Sequence, residues 1–174
     1  LYDSGQVLRR EGQAWRLMEL PPGGLRALTT GADGTVLGAD STGQMLQFVP
    51  ESGSWVAYRT APVGTWSVQT PAVGLRGSTW VLTSDGSIWV DRTQTAANTA
   101  TVAPPSVFTR LLRWRNAGGG PSSAVAVGVD GGVFSLGVDG SPWEWGRNQR
   151  WTSVPGKFRA IAAGSGRKLW GLTE

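Results

Sequence analysis

One grammar recurs four times along the chain, and that repetition limits the fold more than any single residue does. Each repeat opens with a Trp, or an apolar substitute, and a few polar residues. An alternation of small and apolar residues follows. Then come a Gly/Asp turn, a short strand, a second Gly turn and a last strand. The repeats run roughly over 11–50, 51–91, 107–146, and 147–174 continued by 1–10. The glycine ahead of each last strand stands at Gly5, Gly43, Gly86 and Gly140, at spacings of 38, 43 and 54 residues. The first two spacings suit a four-stranded unit of about 40 residues. The third is lengthened by 91–106, a Thr/Ala/Pro-rich stretch containing Pro104-Pro105 that reads as a surface insertion.

The strand signals are short alternating runs bounded by Gly, Asp, Ser and Pro, and no long 3.6-residue period competes with them. Asp33-Gly34, Asp85-Gly86, Asp130-Gly131 and Asp139-Gly140 mark hairpin turns, because both central positions tolerate positive φ. The expected fold is therefore all-β: a β-propeller of about four four-stranded blades in a single domain over 1–174. Radial blades leave only short sheet edges. The fourth repeat stops before its last strand. Asp3-Ser4-Gly5-Gln6-Val7-Leu8-Arg9 matches Asp40-Ser41-Thr42-Gly43-Gln44-Met45-Leu46-Gln47 with one residue inserted. The N-terminal strand is thus expected to complete the last blade and close the ring.

Composition narrows the chemistry. The chain has no His and no Cys. That removes an imidazole base, a Ser-His-Asp triad, a thiol nucleophile, His/Cys zinc sites and a disulfide framework. Carboxylates, hydroxyls, Arg and ten Trp remain, which favours binding over catalysis. The net charge of +4 is carried by scattered arginines, 14 of them beside 2 Lys, rather than by a basic stripe, so no nucleic-acid partner is expected. No apolar run is long enough for a membrane-spanning helix, and no signal peptide is visible. No cofactor and no metal are expected; Asp33/Asp40 and Asp130/Asp139 lack the oxygen-ligand spacing of a calcium loop. Gly118-Gly119-Gly120 lacks the Lys and Ser/Thr of a P-loop and reads as a plain loop. The compartment is left open, with an extracellular or cell-surface setting favoured.

The stretch Trp151-Thr152-Ser153-Val154-Pro155-Gly156-Lys157-Phe158-Arg159-Ala160-Ile161-Ala162-Ala163-Gly164, followed by Leu169-Trp170-Gly171, resembles the repeat of the tectonin-type β-propeller lectins. The first repeat is similar, with Trp15, Pro22-Gly23, Ala27-Leu28, Gly31, Asp33-Gly34, Val36, Gly38 and Asp40. The third lacks a clear opening Trp, although Trp114 lies nearby. The resemblance implies glycan binding, with a site repeated per blade or between blades. Tectonin propellers commonly have more than four blades. That leaves three readings: a small ring, part of a larger propeller, or two chains completing one another as a homo-oligomer.

A sugar-binding site needs an aromatic wall and a few polar partners. Trp89, Trp143 and Trp145 follow Asp-Gly turns on the last strand of their repeats, taken as the outermost strand, and are the candidate walls. Core packing is their alternative role. Trp15, Trp55 and Trp151 read as wedges between blades, and Trp80 and Trp170 as residues of inner strands. Asp40, Asp85 and Asp139 are the candidate hydroxyl acceptors; capping of their own turns is the alternative. No catalytic residue is assigned. Asp85-Gly86-Ser87-Ile88-Trp89 resembles a sialidase Asp-box, but its Gly follows Asp directly, and only Tyr2 and Tyr58 could act as a nucleophilic Tyr. The sequence is therefore read as a non-catalytic, lectin-like propeller for glycans or glycoconjugates. The alternative is a protein-interaction module of a larger assembly, for which 91–106 and Arg110, Arg113 and Arg115 suit a docking surface.

Overall fold

A computed structural model describes residues 7–58, 67–75, 78–91 and 114–173. The regular elements among them are sixteen β-strands. A first four-stranded sheet holds β3 (Leu25–Thr30), β4 (Val36–Asp40), β5 (Met45–Val49) and β6 (Ser54–Ala57). A second holds β7 (Val68–Val73), β8 (Thr79–Thr83), β9 (Ile88–Asp91) and β10 (Trp114–Asn116). A third holds β11 (Ser122–Val127), β12 (Val133–Gly137), β13 (Pro142–Trp145) and β14 (Trp151–Ser153). Two separate hairpins flank these three blades: β1 (Leu8–Glu11) with β2 (Ala14–Leu17), and β15 (Ala160–Ala163) with β16 (Leu169–Leu172). All pairings are antiparallel between strands consecutive in the chain.

The sheets are offset by one strand from the sequence repeats. Trp55, Trp114 and Trp151 lie on β6, β10 and β14, the fourth strands of their blades. Trp114 thus stands on the strand equivalent to those of the repeat-opening Trp55 and Trp151. Its side chain is buried. Trp89, Trp143 and Trp145 consequently sit on the third strands β9 and β13, not on the outermost strand as sequence order implies. Most of the 91–106 insertion, the Phe108 opening, Arg110, Arg113, Tyr2 and Gly5 lie outside the described residues.

The core lies between blades. Strands β4, β8 and β12, in the middle of their blades, are almost wholly buried. Their sequences are accordingly apolar or small at consecutive positions rather than alternating. Leu37, Ala39 and Met45 of the first blade pack against Val68, Val73, Val81 and Trp114 of the second. Ala72, Trp80, Leu82 and Ile88 of the second pack against Val125 and Val133 of the third. Each such side chain contributes roughly 1.5–3 kcal/mol on leaving water.

The marker glycines have a physical role that also explains their recurrence. Gly43, Gly86 and Gly140 all have positive φ (82°, 79° and 79°). Each accepts a backbone hydrogen bond from the next unit: Val68 N–H to Gly43 O at 3.1 Å, Ser122 N–H to Gly86 O at 3.0 Å, Phe158 N–H to Gly140 O at 2.9 Å. A Cβ on Gly43 would lie 2.2 Å from Ser67 Cβ. These turns are therefore the seams between blades.

The Asp-Gly turns form, but by a different device from the one expected. Only the glycine takes positive φ in each pair, as at Gly34 (84°) and Gly131 (85°). The Asp stays at negative φ, and its carboxylate accepts the N–H two residues on, at Thr35, Ser87, Gly132 and Ser141. The pattern is a turn closed by a left-handed glycine plus an Asx cap.

Candidate functional site

The turns of the blades fall at two ends of the sheets. The second-to-third-strand turns, with Asp40, Asp85 and Asp139, occupy one end. The first-to-second and third-to-fourth turns occupy the other. There, between the second and third blades, lies a cleft of about 580 Å³. That volume is within the range of small-ligand sites. Its second-blade wall includes Leu75, Trp80, Val90, Asp91 and Arg115. Its third-blade wall includes Asp130, Val133, Trp145 and Gln149.

Two indoles, Trp80 and Trp145, line the cleft, and a third, Trp151, packs against both. Trp145 meets Trp151 at 5.1 Å and Trp80 at 5.5 Å between ring centroids, both edge-on. Trp151 is pinned from behind: its Nε1 donates to Ala117 O at 3.0 Å and Gly118 O at 3.1 Å. A Cβ on Gly119 would lie 2.8 Å from that nitrogen, so the Gly118-Gly119-Gly120 loop clasps a tryptophan. Trp80 is buried, whereas Trp145 and Trp151 are half-buried.

The Arg115 guanidinium lies 5.4 Å from the centroid of Trp145. Such stacking is worth roughly 0.5–1 kcal/mol or more. Its Nη1 donates to Gln149 Oε1. Its Nε is buried with no hydrogen-bond partner among the described residues. An unsatisfied buried donor costs about 1–3 kcal/mol, more when charged.

Gln149 and Arg167 are the two non-glycine residues with positive φ among the described residues, at 58° and 55°. Their turns are closed by the same glycine N–H bond as the others, although the Arg167 turn also has Gly166 at positive φ (67°). Gly146 N–H donates to Arg150 O and Gly164 N–H to Lys168 O, as Gly31 N–H does to Thr35 O and Gly128 N–H to Gly132 O. Gly34 and Gly131 occupy the left-handed slot of the latter two turns. A side chain in that slot costs roughly 1–2 kcal/mol.

Both strained residues serve the cleft. Gln149 holds Arg115. Arg167 donates its backbone N–H to Asp130 Oδ2 at 2.7 Å, its Nε to Glu144 Oε1 at 2.8 Å and its Nη2 to Trp145 O at 3.1 Å. The Gly132 and Arg167 amides hold the Asp130 carboxyl below the usual carboxylate range. The β15–β16 turn is thereby stapled to the strand that carries Trp145.

No family model matches the chain, and no curated relative matches it. Solved structures do match. The chain is similar to virginiamycin B lyase from Staphylococcus aureus at 13% identity, covering 98% of this chain and 57% of that one, with a TM-score of 0.65. It is similar to YCF48 bound to D1 peptide at 14% identity, covering 95% and 55%, with a TM-score of 0.59. A putative gluconolactonase matches at 12% identity, covering 91% and 60%, with a TM-score of 0.58. The fold is a β-propeller. The chain spans little more than half the length of these propellers.

The propeller separates the six candidate residues instead of gathering them. Trp145 alone lines the cleft. Trp143 is half-buried one strand step away, opposite Ser135 and Ser153. Trp89 packs into the seam between the first and second blades. Asp40, Asp85 and Asp139 sit at the opposite end and hold their own turns. Asp40 Oδ1 accepts from Thr42 N–H, Thr42 Oγ1 and Gln44 N–H. Asp85 accepts from Thr83 Oγ1 and Ser87 N–H, and its carboxyl is held low by them. Asp139 accepts from Lys157 Nζ at 2.8 Å and from Ser141, and its carboxyl is held far below the usual range.

Arg115 was legible as part of a basic cluster; Gln149 and Arg167 were not singled out. Their signal was a glycine slot filled by a larger residue. Among the described residues no group of three or more acids converges as a metal site would require. No helix among them is long and apolar enough to cross a membrane.

Proposed function

We propose that this β-propeller is a recognition module whose cleft between the second and third blades receives an extended, acidic segment of a protein partner. The observation that carries the reading is the pair Gln149 and Arg167. Both accept left-handed strain, and both use their side chains or amides to hold cleft residues. Strain of this kind concentrates at functional sites. A ligand carboxylate beside Arg115 would give Nε the acceptor it lacks among the described residues, in a charge-assisted bond. The tryptophan wall would take an apolar or aromatic side chain of the same segment. Propellers of the same fold support the reading: YCF48 is described bound to D1 peptide, and another matching chain belongs to the mitotic checkpoint complex.

The test is a peptide array in which acidic and neutral peptides are matched in length. Selective retention of acidic peptides, reduced tenfold or more in Arg115→Met, is expected. Equal retention of neutral peptides contradicts the reading. A second reading is glycan binding, which the tectonin resemblance and the Trp145 wall beside Gln149 and Asp130 favour. Competable binding on a glycan array, with a blank peptide array, selects it.

A further inference from the structure

The turn between β13 and β14 carries charge that its own blade does not answer. It reads Gly146-Arg147-Asn148-Gln149-Arg150. Arg147 and Arg150 are both exposed, and neither forms an ion pair among the described residues. The carboxylates of the third blade are committed elsewhere. Asp130 takes the Gly132 and Arg167 amides. Asp139 pairs with Lys157 at 2.8 Å, and Glu144 with Arg167 at 2.6 Å. The corresponding turn of the first blade, between β5 and β6, reads Pro50-Glu51-Ser52-Gly53. A third-to-fourth-strand turn therefore does not need arginine. The one beside the cleft has two.

Gln149 ties this turn to the cleft. It lies between the two arginines in the chain and lines the cleft wall, and its Oε1 accepts from Arg115 Nη1. Its backbone is held in the left-handed region, and Asn148 Oδ1 caps the turn by accepting the Arg150 N–H at 3.2 Å. The Arg115 guanidinium and the backbone that carries Arg147 and Arg150 thus form one fixed unit.

We propose that the β13–β14 turn is a second anchor for the partner segment, which places further carboxylates on Arg147 and Arg150 once its first is at Arg115. The inference rests on the cleft reading above and specifies the partner more closely. The segment offers an apolar residue and an acid to the cleft, then more acids within about four residues, since extended chain advances roughly 3.3 Å per residue. Exposed ion pairs are individually weak and are screened by salt. Acting together, the arginines raise the positive potential beside the cleft and hasten encounter with an acidic chain. Two arginines on one short turn are a small footprint for nucleic acid, which is usually met by positive charge clustered along a face or helix.

The test uses the whole 174-residue chain and two fluorescein-labelled peptides of equal length. Both begin with a leucine–glutamate anchor; one continues with four glutamates, its twin with four glutamines. At low salt the glutamate peptide is expected to bind about fivefold tighter or more, and high salt to erase the difference. In Arg147→Ala/Arg150→Ala the advantage is expected to vanish, while the twin binds as before and the urea midpoint stays in place. Equal affinity for the two peptides, both still weakened in Arg115→Met, overturns the second anchor and leaves the cleft reading standing. Failure of both peptides to bind, or binding indifferent to Arg115→Met, overturns both. Tighter binding of an oligouridylate of matched charge, lost in the same double variant, assigns the turn to nucleic acid and overturns the proposal.

Discussion

The two ends of the sheets obey one turn rule and put it to different uses. At the end that carries Gly43, Gly86 and Gly140, the left-handed slot is always glycine, and the neighbouring Asp caps its own turn. Those turns hydrogen-bond one blade to the next. At the end that carries the cleft, the slot holds Gly34 and Gly131 in two turns but Gln149 and Arg167 in two others. Where the rule is kept, the residue serves the fold. Where it is broken, the side chains serve Arg115 and Trp145, and the Arg167 amide serves Asp130.

The largest expected effect breaks the fold side of the comparison. Leu37 is fully buried between the first and second blades, so Leu37→Ala should cost about 2–5 kcal/mol in urea unfolding. Next, Gly86→Ala should cost about 1–3 kcal/mol. It adds left-handed strain and a Cβ 3.1 Å from Pro121 Cα, and it weakens the seam to Ser122. On the cleft side, Arg115→Met keeps the stem over Trp145 and should leave the urea midpoint nearly unchanged. It should weaken acidic-peptide binding about ten- to a hundredfold, the worth of one charge-assisted bond.

The smallest effect is the dependence on pH. Asp85, Asp130 and Asp139 all titrate below the ordinary value of 3.8 in the folded chain. A carboxyl held low binds fewer protons folded than unfolded. Its stabilisation is thus complete above the ordinary carboxylate range and drains away as pH falls below it. With no His in the chain, the melting temperature should stay flat from pH 8 to 5 and drop below about pH 4. A step between pH 7 and 6 would contradict that.

Much of the fold was legible because blades repeat: the Gly markers, the Asp turns and the inner strands all recur in sequence. The strand phase was not. In a circular array any strand can stand first, and only the pairings place Trp55, Trp114 and Trp151 on fourth strands. The site was harder to read for a related reason. Arg115, Trp145 and Gln149 come from different strands and turns, and only the apposition of two blades brings them together. The tryptophans chosen for their place after Asp-Gly turns stand on two different blades, so Trp89 went to the seam between the first and second and Trp145 to that between the second and third. Yet the exchange of glycine for Gln149 and Arg167 was written in the repeat itself.

Gln149→Gly tests the central claim most directly, because it restores the turn rule at the cleft while removing the side chain that holds Arg115. Stability and acidic-peptide binding should be measured on the same samples. Relief of left-handed strain opposes the added chain entropy of glycine, so the urea midpoint should shift by less than about 1 kcal/mol in stability, while binding falls tenfold or more. Binding that survives intact alongside a clearly lowered midpoint would make Gln149 a residue of the fold and contradict the account.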